Sequence, residues 1–306
     1  MNLILNFLSE LGPTVYSSLE LIGVYVILAL SLNMINGMAG MFSIGHAGFW
    51  AVGAYSAAAV TVHDPFGLAG PAILLASILV AMVVTGIAGL ILAVPCLRLA
   101  GDYLAIATLG FAIIIVTLLY NFDYMGAATG ISTPTHGGKA FVWLMVLVTL
   151  VVYYRLQFSN LGRTIQALRE DEIAAQAVGI NRVRLKTLVF VIGASMAGLA
   201  GALYANSATY LNPSGFEFDQ SIKLLTMVVL GGLGSITGVT LAAILLTLLP
   251  EVLRLFSLES YQMIVFSVLL LAMVLLRPQG LMGRFELWDL PILKRWWRPN
   301  GAETHA

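Results

Sequence analysis

The sequence predicts an all-α, polytopic membrane protein, and three observations carry the prediction. Of its 306 residues, 59% are hydrophobic and only 10% are charged, whereas soluble domains carry about 25% charged residues. Mean hydropathy is +0.94. Apolar runs recur at about the 20-residue length that crosses roughly 30 Å of hydrocarbon.

The runs predict a helical bundle of about nine crossings, in a range of about 8–10. They fall at residues 15–36, 44–62, 70–95, 103–121, 140–157, 187–207, 221–233, 236–255 and 260–276. The segment before the first (MNLILNFLSELGPTVYSS) has no basic n-region, so no cleaved signal peptide is expected.

Asn33, Asn36, Ser43 and His46 cluster around Gly37, Gly40 and Gly45 between the first two crossings, which predicts a broken helix over 36–45. Two readings stay open. The polar groups hydrogen-bond across helices and set packing, or half-helix N-termini there face an anionic substrate group such as a carboxylate. On the second reading Asn33, Asn36, Ser43, Gly45 and His46 line a translocation pathway. No second ligand accompanies His46 at metal-binding spacing, so no metal site is expected.

GGLGSITG, with Gly231, Gly232, Gly234 and Ser235, separates the seventh and eighth crossings. It is either a tight turn or a break within the bilayer over 231–238, and its residues join the candidate pathway. In the sixth crossing Gly193, Ala197, Gly201 and Ala205 form one small-residue row, and Ala194, Gly198 and Ala202 a second, which predicts close helix packing. Arg98 with Asp102, Asp219 with Lys223 and Glu251 with Arg254 have helical-pair spacing near boundaries. None of them stands alone at mid-depth, which argues against a proton relay.

Residues 155–186 (RLQFSNLGRTIQALREDEIAAQAVGINRVRLK) are a charged island in membrane-grade sequence. Of fifteen Lys and Arg, eleven lie in this island or after the last crossing, at Arg277, Arg284, Lys294, Arg295 and Arg298. The positive-inside rule places both regions in the cytoplasm and the N-terminus outside. External loops are then expected at 63–67, 121–139 and 207–220. Residues 1–283 read as one transmembrane domain with a cytoplasmic loop over 158–186. Residues 284–306, with Trp288, Trp296 and Trp297, read as a cytoplasmic, interfacial tail.

Within the island Asn160 is placed to cap a helix that carries Leu161, Ile165 and Leu168 on one face. Gly179 suits a left-handed helix terminus, and Asn181 can cap the next helix. Glu170, Asp171 and Glu172 precede Ala174 and Ala175. Charges beside small residues let a partner approach closely and pair; a solvated loop without a partner is the equal alternative on this pattern.

Several function classes lose support. Net charge is zero, which suggests no nucleic-acid role. Cys96 is the single cysteine. The sequence has no P-loop, HExxH, GxSxG or CxxC. If transport uses ATP, another polypeptide hydrolyses it.

ALREDEIAAQAVGIN resembles the "EAA" loop of ABC-importer permeases in its branched-chain amino acid form, the LivH/LivM type. LSLNMINGMAGMFSIGHAGFWAVGAY, GGLGSITG and RPQGLMG resemble further signatures of that family, so the likeness spans residues 19–283. Ile173 separates Glu172 from the two alanines, which departs from the generic importer loop and fits the LivM branch. The resemblance implies that Arg169, Glu170, Asp171, Glu172, Ala174, Ala175 and Gly179 couple the chain to a cytoplasmic ATPase. It implies a second, LivH-like permease, two ABC ATPases that bind ATP and Mg, and an extracytoplasmic solute-binding protein. It also implies a bacterial cytoplasmic (inner) membrane, contact with lipid, and neither a cofactor nor an enzymatic activity in this chain. The implied cargo is leucine, isoleucine and valine, with urea, short amides or other amino acids as alternatives. An ion-driven secondary transporter and an intramembrane enzyme remain as other classes, and the sequence offers neither the mid-depth carboxylate of the first nor the catalytic cluster of the second.

Overall fold

Each apolar run forms a helix, though the first begins at Asn2, well ahead of the expected residue 15, and the sixth at Arg182 rather than 187. The structure, a computed structural model, describes residues 2–64, 67, 70–96, 102–255, 258, 261–276, 280–282 and 286. α1 (Asn2–Asn33) continues into a π-helical turn at Met34–Met38. Then come α2 (His46–His63), α3 (Pro71–Cys96), α4 (Asp102–Tyr120) and α5 (Lys139–Gln157). The island forms α6 (Asn160–Glu170) and α7 (Glu172–Ala177). The bundle resumes with α8 (Arg182–Ser207), α9 (Phe218–Gly231), α10 (Ile236–Leu255) and α11 (Gln262–Leu276).

Six helical segments among the described residues are long and apolar enough to cross a membrane, in α1, α3, α4, α5, α8 and α10. The expected count of nine is therefore not confirmed. At about 1.5 Å per residue, the 14 residues of α9 and the 15 of α11 fall short of a 30 Å hydrocarbon layer. α2 fails for another reason. It is rich in Ala and Gly, and most of it is buried against α3 and α8. A helix wrapped by other helices needs small side chains to let them approach rather than lipid-grade ones.

The interior and the rim separate clearly. The spanning window of α1 is 83% buried and that of α8 72%, against 28% for α4 and 22% for α5. The rim helices turn large apolar side chains outward, among them Ile113, Ile114 and Leu118 on α4 and Leu147 and Val151 on α5. That inverted arrangement suits a lipid solvent, as does the satisfaction of the backbone inside helices. Close approach in the core depends on the predicted small rows. A Cβ on Gly53 of α2 would lie 2.6 Å from Gly198 Cα, and one on Gly201 would lie 2.5 Å from Ala54 N.

Of the boundary pairs, Glu251 and Arg254 meet at 3.0 Å. Asp219 and Lys223 do not form an ion pair. Lys223 instead places its ammonium 4.3 Å from the Tyr25 ring centroid and 5.7 Å from that of Phe266. α9 packs against α1 and α11, and the aromatic faces there attract the cation. Arg98, the tail tryptophans Trp288, Trp296 and Trp297, and the basic residues Arg277, Arg284, Lys294, Arg295 and Arg298 lie outside the described residues.

At the end away from the island, β1 (Ile131–Ser132) pairs antiparallel with β2 (Tyr210–Leu211). This joins the 121–139 loop to the 207–220 loop. Thr133 Oγ1 donates to Ala208 O at 2.6 Å, and Tyr120 Oη donates to Glu217 Oε1 at 2.7 Å.

Candidate functional site

The island is two short helices meeting at Asp171. Ser159 caps α6 by accepting from Gly162 N at 3.0 Å, in place of the expected Asn160. Ser159 has the extended backbone a cap requires, whereas Asn160 is the first helical residue and its side chain receives Arg163. Ile165 and Leu168 are buried beneath α6, and Leu161 packs beside them. Asp171 leaves helical geometry and caps α7 through one carboxylate oxygen, which accepts from Ile173 N at 2.8 Å and Ala174 N at 3.0 Å. Gly179 takes the left-handed conformation at φ +87°, and Asn181 caps α8 by accepting from Arg184 N.

α7 therefore stands at the tip of a turned-back loop. Ile173 is 81% exposed and Val178 77% exposed. Glu170, Asp171, Ala174 and Gly179 are also exposed, and Ala175 is buried. Glu172 faces the loop's own base, where Lys186 and Arg182 of α8 both bind it, Arg182 at 3.0 Å. Hydrogen bonding to Lys186, together with the charges of Lys186 and Arg182, holds its carboxyl below the usual glutamate range against an opposing desolvation.

The two glycine-rich breaks come together at the island end. The Asn33 side chain joins them: its Oδ1 accepts from Gly234 N at 2.8 Å, and its Nδ2 donates to Ser235 O at 3.0 Å and Tyr153 Oη at 3.1 Å. A Cβ on Gly37 would collide with Asn33 Oδ1 and Gly234 N. Gln157 Nε2 donates to Gly234 O at 3.4 Å. Gly231 ends α9, Gly232 and Gly234 both have positive φ, and Ser235 Oγ accepts from Gly238 N as α10 begins. The 231–238 stretch is thus a tight turn lodged against the first break. The Glu286 carboxylate accepts from Ile236 N at 2.8 Å and Thr237 N at 3.0 Å, which caps α10.

The second half of the first break leads into α2. Asn36 holds it by both ends of its amide, accepting from Ser43 N at 3.0 Å and donating to Ser43 O at 3.1 Å. Thr108 Oγ1 accepts from Ile44 N, and Gly45 packs against the Thr108 backbone. His46 Nε2 lies 2.6 Å from Ser31 Oγ. Ser43 Oγ and His46 Nδ1 are buried and find no hydrogen-bond partner among the described residues. Asn33 and Asn36 therefore hold backbone, and Ser43 and His46 keep unused polar atoms.

Sequence reasoning missed Tyr153, Gln157, Thr108 and Glu286. The first two sit four residues apart at the end of α5, a spacing that could have flagged them. Glu286 gave no such signal, because its partners lie about 50 residues earlier in the chain. Among the described residues no group of three or more His, Cys, Asp or Glu could hold a metal ion.

A family model for the permease component of branched-chain amino acid transport systems matches residues 15–274. The chain belongs to that permease family. It is 37% identical over 295 residues to the high-affinity branched-chain amino acid transport system permease protein LivM of Salmonella typhimurium, an alignment covering 85% of this permease and 68% of the relative. The probable branched-chain amino acid transport permease protein LivM of Methanocaldococcus jannaschii is 26% identical, over 89% of the permease and 94% of the relative. The LivH permease protein of Escherichia coli K12 is also 26% identical, with coverages of 89% and 95%. These relatives make the chain a multi-pass transport permease rather than an enzyme. No solved structure matches it.

Proposed function

We propose that this permease is one of two membrane subunits of a bacterial inner-membrane ABC importer for leucine, isoleucine and valine. The observation that carries the reading is the exposed apolar pair formed by Ile173 on a short helix anchored at both ends and Val178 at its C-terminal cap. An aliphatic knob in water is costly, and burying it in a partner stabilises the complex. The chain has no P-loop, so the partner that supplies energy is a separate ATPase.

The island end is cytoplasmic on this reading, and α7 seats in a groove of one ATPase. A LivH-like permease carries the equivalent helix on the second ATPase, and both ATPases bind the ATP and Mg. The opposite end faces outward. Its paired loops expose Phe122, Tyr124 and Tyr210, a surface fit to receive a solute-binding protein. Closure of the ATPases displaces α7, and the breaks around Asn33 and Gly234 convert that displacement into a change of access.

The test is purification of the chain from its native membrane in mild detergent, followed by mass spectrometry of what accompanies it. A second permease together with P-loop ATPases is expected. The chain alone, or paired only with itself after crosslinking, would overturn the importer reading and favour an ion-driven transporter.

A further inference from the structure

We infer that Arg169 is the positioning residue that carries displacement of the island into both helix breaks at once. The inference rests on the coupling reading above and goes beyond it by naming the link.

Arg169 lies in the last turn of α6, two residues before the Asp171 cap. Its guanidinium donates to the Gly37 carbonyl in the π-helical turn. Its stem crosses Gly40, where a Cβ would lie 2.9 Å from Arg169 Cγ. A Cβ on Gly234 would lie 3.3 Å from Arg169 Nη1. One side chain therefore touches glycines from two breaks that are far apart in sequence. Among the described residues it forms no salt bridge, so its fork serves the backbone rather than a carboxylate.

Two routes lead inward from α7. One runs through Glu172 to Arg182 and Lys186, and it ends on α8, an uninterrupted helix of 26 residues. The other runs through Asp171 and α6 to Arg169, and it ends where the backbone can change its dihedrals. Gly40 has φ +66° and Gly234 φ +92°, and such positions absorb hinge motion. Buried Ile165 and Leu168 hold α6 against the bundle, so α6 moves as a lever rather than fraying. Asn33 bonds the two breaks to each other, which makes a pull at Gly37 a pull on Gly234. A planar guanidinium can engage two neighbouring backbone targets together, which a lysine ammonium on a flexible stem does poorly.

The test uses the whole assembly co-purified with this chain and reconstituted in liposomes. It reads uptake of labelled leucine per ATP hydrolysed, with the amount of ATPase retained as a second measurement. Arg169→Ala is expected to lower uptake per ATP by roughly 2- to 30-fold, the range of a residue that modulates coupling between sites, with ATPase retention unchanged. A wild-type ratio in that variant overturns the inference. Loss of the ATPase also overturns it, because Arg169 would then belong to the docking surface. Should the alanine variant fail to reach the membrane, Arg169→Lys decides: a lowered ratio supports the inference and a wild-type ratio overturns it. A wild-type chain that captures no ATPase overturns the coupling reading itself, a result distinct from a failure of Arg169 alone.

Discussion

The two ends of the bundle are tied together in different ways, by side chains set into helix breaks at one end and by a loop-to-loop backbone pairing, with side-chain bonds beside it, at the other. At the island end, side chains reach into breaks between helices. Asn33, Gln157 and Arg169 all bond backbone groups at Gly37, Gly234 or Ser235. At the opposite end, loop pairs with loop. β1 meets β2, Thr133 N donates to Thr209 O, and the backbone N–H groups of His136 and Gly137 both reach Asn206 O. The first arrangement fixes the geometry inside the bundle to the position of one surface loop. The second fixes two surface loops to each other and to the end of α8. The island end therefore links a surface loop to the bundle interior through side chains, and the opposite end links two surface loops to each other.

The largest expected effect is at the tip of the island. Burying an aliphatic side chain is worth about 1.5–3 kcal/mol, and Ile173 and Val178 are both open to a partner. Ile173→Ser with Val178→Ser is expected to weaken ATPase capture by tenfold or more, about 1.4 kcal/mol or above, with no loss of thermal stability in the isolated chain. Pull-down of the ATPase across a concentration series measures the first, and a detergent melt the second. Undiminished capture would make the island an ordinary loop and remove the contrast between the ends.

Next is the glycine junction. Gly37→Ala would drive a Cβ into Asn33 Oδ1 and Gly234 N, with Gly234 Cα at 2.9 Å. Overpacking of this kind costs about 1–3 kcal/mol. Gly137→Ala at the opposite end is the control, because its nearest neighbour, Asn206 O, would be 3.7 Å away. The first variant should melt clearly below wild type and the second close to it. Equal melting of the two would break the comparison.

How much of this was legible in the sequence differs between the two ends for the same physical reason. Gly179 and Asn181 act on residues within a few positions, so local chemistry announces them, whereas the caps at Ser159 and Asp171 are equally local and were missed, the first in favour of Asn160. The likeness of the island loop to a permease family, and the family match over residues 15–274, agree with each other. Asn33 was visible as a polar residue in an apolar run, but its partners Gly234 and Ser235 are about 200 positions away, and no periodicity encodes that register. Glu172 was read only as one of three charges a partner could pair with, because nothing before Gly179 shows the chain turning back. Once it turns, Arg182 and Lys186 lie beside that carboxylate. The crossing count met a similar limit: the small side chains of α2 suit burial among other helices, which its composition alone does not reveal.

Glu172 gives a smaller effect with a definite sign. Its carboxyl is held below the ordinary range by Lys186 and Arg182. The two pairs therefore steady α7 at neutral pH and above the usual glutamate range, and they are lost as pH falls through the lowered value. Both pairs are partly exposed, so each contributes at most about 1 kcal/mol. Hydrogen-exchange protection over residues 172–178, taken relative to the intrinsic rate at each pH, should fall in Glu172→Gln at neutral pH. In the wild type it should fall only in acid. Exchange that ignores both changes would mean that the Asp171 cap alone holds the helix.

The smallest effect belongs to the opposite end. Tyr120 Oη donates to Glu217 Oε1 at 2.7 Å across an exposed site, and such a bond contributes about 0.5–1 kcal/mol because water replaces it readily. Tyr120→Phe removes the donor and keeps the ring, and the 121–139 and 207–220 loops stay joined through the backbone pairing of β1 with β2. Melting should shift by no more than that bond is worth, and uptake per ATP should match wild type. A drop in uptake with unchanged melting would mean that this end also sets the geometry of transport through a side chain. That end would then be a second lever, and the contrast would lie in which partner pulls rather than in how the ends are built.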